Sequence, residues 1–273
     1  MSVQEGCNTT AHNLSETAIQ TFRERGFIYL PGVISKAEAS RFYDAALALQ
    51  DHMESYSKGK ADKVFTQLVN VWREDPILKE LVFHPNLAAL AERLAGVALR
   101  LWHDQILIKQ PHNEGPTEYH QDQPFWPHAD PDKLHCLSAW VALCDVPVEK
   151  GCMTFIEGSQ HYKGTRPQDL TAAGDLLTLC PDFVYMPRAT LPLRAGDCTF
   201  HNSWTAHMAT PNFTDDPRVA QIIIYMDADT RYFVKRHAIT DAYFSGKVHP
   251  VTDPLGLEVG EPLNGMLFPR ILD

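Results

Sequence analysis

Tyr119-His120-Gln121-Asp122-Gln123-Pro124-Phe125-Trp126 carries the chemistry around which the other segments can be arranged. Along an extended strand the side chains alternate between faces, so His120 and Asp122 point the same way and can hold one metal ion. Two ligands make a loose site, and a third has to come from a distant part of the chain. The candidate is His207, in Thr205-Ala206-His207-Met208. Two imidazoles and one carboxylate on one face of an ion suit non-haem Fe(II) and leave positions open for further ligands. A second His-x-Asp, His128-Ala129-Asp130, lies between Pro127 and Pro131. Those prolines deny it a regular strand and the rigid backing that a metal site needs.

At 273 residues the chain is just above the usual size of one domain. Large antiparallel β folds often reach this length undivided, so one domain over residues 1–273 is expected. With 44% hydrophobic and 21% charged residues it has enough apolar material for a core and a pocket within it. A formal charge of −10 argues against a nucleic-acid partner or an anionic membrane surface, since either needs concentrated Lys and Arg. The N-terminus is polar, and no run approaches the length of a membrane-spanning helix. A cytoplasmic location is expected. The six cysteines (Cys7, Cys136, Cys144, Cys152, Cys180, Cys198) include no Cys-x-x-Cys pair. They read as reduced, mostly buried thiols in a reducing compartment, where the sequons at Asn8, Asn13 and Asn212 carry no meaning.

Ser15, with Ala18, Ile19 and Phe22 before Gly26, predicts a short amphipathic helix, followed by a strand Phe27-Ile28-Tyr29-Leu30. Ser35 and Glu38 form a capping box for a longer helix whose apolar face is Ala39, Phe42, Ala45, Ala46 and Leu49. Residues 54–64 read as a loop, and 75–97 as helical, divided at Pro85. Leu99 to Ile108 alternates and is rich in branched and aromatic residues. It predicts a strand with His103, Gln105, Leu107 and Lys109 on one face. After a polar loop come a strand near 118–122, a proline-rich loop, and strands over Cys136–Val146 and Cys152–Ile156. Residues 157–182 lack clean periodicity, and such long irregular segments are more often functional than idle. Leu191-Pro192-Leu193 is a turn, and Gly196 to His201 turns into a strand. His207 follows, and Val219–Met226 is strongly apolar. Residues 227–273 read as irregular, with one helix near 237–244. Helices first and many short strands afterwards predict a mainly β fold, a double-stranded β-helix (jelly roll) core packed by N-terminal helices.

Arg218, eleven positions beyond His207, opens the last apolar strand. Its planar fork can hold a distal carboxylate in bidentate fashion while the other end of that molecule chelates the metal. A bland reading makes it a surface cation beside Asp215 and Asp216. His201 is a rival third ligand, with a supporting role the better reading.

His120-x-Asp122, His207 and Arg218, with Trp140-Val141-Ala142-Leu143 and Gly196-Asp197 between them, resemble the phytanoyl-CoA dioxygenase family of Fe(II)- and 2-oxoglutarate-dependent oxygenases. Phe22-Arg23-Glu24-Arg25-Gly26-Phe27 and the segment Gly151 to Ser159 are similar to that family as well. The resemblance covers roughly residues 15–226. It implies a jelly-roll core, Fe(II) held by His120, Asp122 and His207, and 2-oxoglutarate anchored by Arg218. Oxygen would be the third reactant. The implied reaction decarboxylates 2-oxoglutarate to succinate and CO2 while hydroxylating, or otherwise oxidising, a C–H bond. Related halogenases replace the carboxylate with a small residue, so Asp122 favours oxygen-derived oxidation. Trp140 resembles the family's tryptophan beside 2-oxoglutarate, though a packed core indole reads equally well. Gln105, Thr117 and Lys109 are further candidates to hydrogen-bond the cosubstrate, or else ordinary strand residues. Ala209 stands two residues after His207, where many relatives carry serine, so that contact to the distal carboxylate is lost or shifts to Thr210. Trp126 and Phe125, close after Asp122, are expected to line the substrate side.

Competing functions are a non-catalytic jelly-roll binding or sensor protein, and a cupin-type metalloenzyme independent of 2-oxoglutarate. Lys163, Arg166, Arg188 and Arg194 are too dispersed to form a cationic cradle for a CoA thioester. A free hydrophobic or mixed-polarity small molecule is the expected substrate, selected by residues 157–195, acting as a lid or insert, and by 227–273.

Overall fold

The computed structural model describes residues 9–56, 61–113, 115–128, 135–234 and 236–272. Helix α1 (Glu16–Arg25) starts where the Ser15 hydroxyl accepts the Ala18 N–H and stops at Gly26, whose φ of 84° is left-handed. Strand β1 (Phe27–Leu30) leads to α2 (Lys36–Gln50). There Ser35 Oγ accepts the Glu38 N–H at 3.2 Å and the Glu38 carboxylate accepts the Ser35 N–H at 2.8 Å, the reciprocal cap read from sequence. Strand β2 (Thr66–Val69) comes next, then α3 (Pro76–Val82) and α4 (Pro85–Ala95), with each proline in the first helical turn, where no N–H is missed.

The strands follow: β3 (Leu99–Lys109), β4 (Thr117–His120), β5 (Leu137–Ala142), β6 (Met153–Ile156), β7 (Arg188–Leu191), β8 (Cys198–Asn202), β9 (His207–Ala209) and β10 (Arg218–Asp227), with the short α5 (Asp175–Leu179) between β6 and β7. They build a six-stranded sheet in the order β1-β8-β5-β10-β3-β2 and a four-stranded sheet in the order β4-β9-β6-β7. Every recorded pairing is antiparallel. This is the double-stranded β-helix, packed on one side by α1 to α4.

Strand β10 shows how period-two chemistry divides the core. Val219, Ile223 and Tyr225 face the helices with Phe22, Phe42, Leu87 and Leu90. Ala220, Ile222 and Ile224 face the other sheet with Trp102, Trp140 and Phe155. A strand covered on both faces has no polar alternation left to show, which is why this segment reads as one apolar run.

Several boundaries differ from expectation. Strand β4 ends at His120, and Asp122 (φ −73°, ψ −41°) begins a single 3-10 turn over Gln123–Phe125 rather than continuing the strand. Thr66–Val69 is a strand that was not anticipated. The irregular segment 157–182 contains α5, and within the 157–195 insert Arg188–Leu191 is a strand paired with β6. The C-terminal segment carries the expected helix as α6 (Ala238–Tyr243). It is also more integral than read: Leu263 and Phe268 belong to the intersheet core, and the Leu101 N–H donates to the Pro269 carbonyl. Among the described residues no disulfide forms, and no helix is long and apolar enough to cross a membrane. Cys7, Asn8 and Asp130 lie outside the described residues.

Candidate metal centre and cavity

Strands β4 and β9 pair antiparallel with His120 directly opposite His207, which brings the two rings to 4.2 Å between centroids. The 3-10 turn then lifts Asp122 toward them. Its Oδ1 lies 3.5 Å from His120 Nε2 and 3.8 Å from His207 Nε2, and one ligand atom from each of the three falls within 4.8 Å of the others. Each imidazole is oriented from behind. His120 Nδ1 lies 2.8 Å from the Glu118 carbonyl and His207 Nδ1 lies 2.9 Å from the Thr205 carbonyl. A carbonyl only accepts, so Nδ1 carries the hydrogen and Nε2 keeps its lone pair toward Asp122, the tautomer that ligation requires.

The second carboxylate oxygen, Asp122 Oδ2, is held by Ser138 Oγ at 3.3 Å and His201 Nε2 at 3.4 Å. His201, its ring 4.5 Å from that of His207, therefore meets the other carboxylate oxygen rather than joining His120, Asp122 and His207 as a ligand. Burial works to raise the Asp122 carboxyl. Whenever one of the His207, His120 and His201 rings carries a second proton, its charge and hydrogen bonding outweigh that and hold the group well below the usual carboxylate range. Burial, with His120 alongside, pushes His207 well down, so it is a neutral donor. Two neutral imidazoles and a carboxylate fit Fe(II).

Beside these residues opens a cavity with about 970 Å³ of empty space, part of it continuous with solvent. It runs along β10: Arg218 and Ile224 both line it, six residues apart, or about 20 Å at roughly 3.3 Å per residue. At one end sits Arg218, 1% exposed. Its Nη1 donates to the Leu107 carbonyl at 3.3 Å, its Nε has no partner, and its Cζ is 5.3 Å from the Trp140 ring centroid. Among the described residues no carboxylate pairs with it. A buried guanidinium lacking a counter-charge fits an arriving anion. Burial lowers it only to about 10, leaving it cationic at neutral pH.

Lys109, opposite Arg218 in the β3–β10 register, is fully buried and donates to the Gly115 carbonyl at 3.3 Å. Burial first, and Arg218 second, push it down to about 6. Gln105, Thr117, Trp140, Phe125 and Trp126 all line the cavity. Lys109 lies behind the wall, and the Thr210 hydroxyl is spent on the Val148 carbonyl at 3.0 Å. Of the insert 157–195, Leu170 is the lining residue. Sequence reasoning missed Gln67, His103 and His249, and also Tyr243 and Phe244. The alternation of Phe65-Thr66-Gln67-Leu68-Val69 could have found Gln67. The three near the C-terminus lie in or beside irregular chain, where no period points a side chain anywhere.

The family profile for phytanoyl-CoA dioxygenase matches residues 22–220. Among solved structures, the chain is similar to the non-heme alpha-ketoglutarate-dependent carbocyclase SnoK from nogalamycin biosynthesis, 35% identical with a TM-score of 0.81, covering 97% of this chain and 99% of that one. The epimerase SnoN, in complex with Fe3+, alpha-ketoglutarate and nogalamycin RO, is 36% identical with a TM-score of 0.80, covering 94% and 98%. Phytanoyl-CoA dioxygenase domain-containing protein 1 of Mus musculus is 28% identical over 160 residues, 56% of this chain and 54% of its own length. The chain thus spans about half the length of the curated relatives it matches.

Proposed function

The chain belongs to the phytanoyl-CoA dioxygenase family, and from that premise we propose that it is an Fe(II)- and 2-oxoglutarate-dependent oxygenase acting on a C–H bond of a bulky, largely apolar small molecule. The observation that carries this reading is the pairing, in one cavity, of the His120, Asp122 and His207 donor set with a buried Arg218 that lacks a counter-ion.

His120, Asp122 and His207 would hold the iron, and the Glu118 and Thr205 carbonyls keep their imidazoles in the ligating tautomer. Iron with 2-oxoglutarate and O2 supplies the oxidant, with succinate and CO2 as coproducts. Arg218 grips the distal carboxylate through its guanidinium, and Lys109 adds a second cation that takes up a proton when the anion arrives. Trp140 flanks the same end. A five-carbon diacid spans about a third of the 20 Å cavity, so the end at His103 and Ile224 remains for substrate. Phe125, Trp126 and Phe244 line that end and keep water away from the reacting carbon.

Likeness to a carbocyclase and an epimerase at 35–36% identity supports a cyclic metabolite as substrate. It also supports two outcomes besides hydroxylation, ring closure and inversion at the attacked carbon, the latter drawing two electrons and two protons from an external reductant such as ascorbate to reduce the remaining oxygen to water. Product mass separates the three, as gain of oxygen, loss of hydrogen or no change. The test of the proposal is succinate formation by the purified chain with Fe(II) and 2-oxoglutarate. Arg218→Ala is expected to raise the 2-oxoglutarate requirement about a hundredfold, because it strips the partner from a buried carboxylate. No succinate would favour a binding protein, and an unchanged requirement would favour a metalloenzyme that does not use 2-oxoglutarate.

A further inference from the structure

Three polar side chains from separate elements meet on the cavity wall: Gln67 of β2, Gln105 of β3 and Tyr243 of α6. The Tyr243 hydroxyl donates to Gln67 Oε1 at 2.9 Å, and Gln67 Nε2 donates to Gln105 Oε1 at 2.6 Å. No described residue accepts from Gln105 Nε2. Two amides in contact can be arranged in two polarities, because each carries donors at one end and an acceptor at the other. In one arrangement Gln105 turns its NH2 to the cavity, and in the other its carbonyl oxygen. The phenol breaks this tie. Burial raises Tyr243 above its ordinary value, so the hydroxyl keeps its hydrogen. With that hydrogen given to Gln67 Oε1, the Gln67 NH2 turns to Gln105 Oε1, and the Gln105 NH2 is left for a ligand. The Tyr243 ring is held edge-on by Phe125 at 6.3 Å and Phe244 at 5.2 Å between centroids.

We propose that Tyr243 and Gln67 are positioning residues that fix the Gln105 amide with its NH2 toward the substrate, so that this wall selects a substrate carrying an acceptor oxygen such as a carbonyl. A donor-only group such as an ammonium finds no partner there. In the β3–β10 register Gln105 stands opposite Ile222, four residues from Arg218, or about 13 Å at roughly 3.3 Å per residue. A five-carbon diacid gripped by Arg218 covers about half of that distance, so Gln105 meets the substrate rather than the cosubstrate. The assignment rests on the proposed function, which gives this end of the cavity to the substrate.

The experiment uses the full chain with Fe(II) and 2-oxoglutarate bound, without oxygen, titrated with camphor and with borneol. The two probes share one carbon frame; the ketone oxygen of camphor only accepts, while the hydroxyl of borneol accepts or donates. Tryptophan fluorescence reports binding, because Trp126 and Trp140 line the cavity. Both probes can take the Gln105 NH2, so the unaltered protein is expected to bind them within about threefold of each other. Gln67→Glu keeps the shape and the phenol contact but has no hydrogen to give. Gln105 must then turn its NH2 to the new carboxylate and its oxygen to the cavity, and camphor is expected to weaken about tenfold relative to borneol. Tyr243→Phe keeps the ring packing and restores the tie, with a smaller fall expected in the same direction. A role in packing alone would weaken both probes equally in both variants, and that unchanged ratio overturns the relay. Camphor already about tenfold weaker than borneol on the unaltered protein overturns the polarity. Binding of neither probe overturns the open donor, and succinate formation retained alongside it leaves the oxygenase reading standing.

Discussion

Lys109 donates to the Gly115 carbonyl and lies beside Arg218 with no carboxylate in reach among the described residues. Its folded pKa of about 6 stands below the ordinary 10.5. Between those values the unfolded chain binds a proton that the folded chain does not, so stability rises with pH across the window. Below about pH 6 the full cost of the buried charge is present. Lys109→Met is therefore expected to melt higher than the unaltered apo protein near pH 6, with the gap narrowing as pH rises toward 9. Saturating 2-oxoglutarate should reverse the order, and thermal melts across that range with and without it check both statements. His201 is the other residue whose role the fold defines. Losing its contact to Asp122 Oδ2 frees the carboxylate to rotate. His201→Phe should weaken Fe(II) binding about tenfold or more while near-UV circular dichroism stays unchanged, as read by metal titration. At this scale the sequence was informative wherever a residue type has one efficient use. His120, Asp122, His207 and Arg218 were legible, and the structure brings all four to one cavity. Thr210 was not, because a hydroxyl has many satisfactory partners and here takes the Val148 carbonyl.

Elements were legible where local chemistry decides them. The caps at Ser15 and Ser35, the stop at Gly26 and the prolines opening α3 and α4 are all local signals. Gly196 belongs with them for a different reason. Its φ of 91° is left-handed, and a Cβ there would press on the Ile34 carbonyl oxygen, which is backbone and cannot yield cheaply. That turn holds the segment before α2 against the start of β8, and the Ile34 N–H donates to the Gly196 carbonyl at 3.2 Å. Gly196→Ala should cost about 2 kcal/mol or more, lowering the melting midpoint by about 5 °C in a chain this long. Calorimetry would check it. The strand carrying His120 was read two residues too far. The argument that put Asp122 on the same face of that strand reached the right residue by an incomplete route. A 3-10 turn, not strand alternation, delivers the carboxylate. A tertiary contact, the Gln123 N–H donating to the Ser203 carbonyl, helps hold that turn, and nothing in the local sequence announces it.

Across the whole molecule, the cavity has walls from segments far apart in the chain. Val69 comes from β2, His103 from β3, Met153 from β6, Ile222 from β10, and Tyr243, Phe244 and His249 from the C-terminal segment. That segment links to the rest through Tyr243, whose hydroxyl donates to Gln67 Oε1 at 2.9 Å, and Gln67 in turn donates to Gln105 Oε1 at 2.6 Å. Phe244→Ala should open this wall to water. Succinate formation without substrate is then expected to rise several-fold relative to the unaltered protein, with the 2-oxoglutarate requirement unchanged, because Arg218 lies at the other end. An oxygen-coupled succinate assay checks both. The residue types and spacings by themselves pointed to the candidate metal-ligand set, to the cation proposed to answer it and to the order of helices before strands. Those follow from the valence and geometry of the side chains and from short-range periodicity. Only the tertiary structure decided that His120 faces His207 across β4 and β9, that His201 contacts the second oxygen of Asp122, and that the C-terminal chain walls the cavity at His103 and Ile224. Each is a contact between segments distant in sequence, set by packing and register, and none of the three leaves a local trace in the residues it joins.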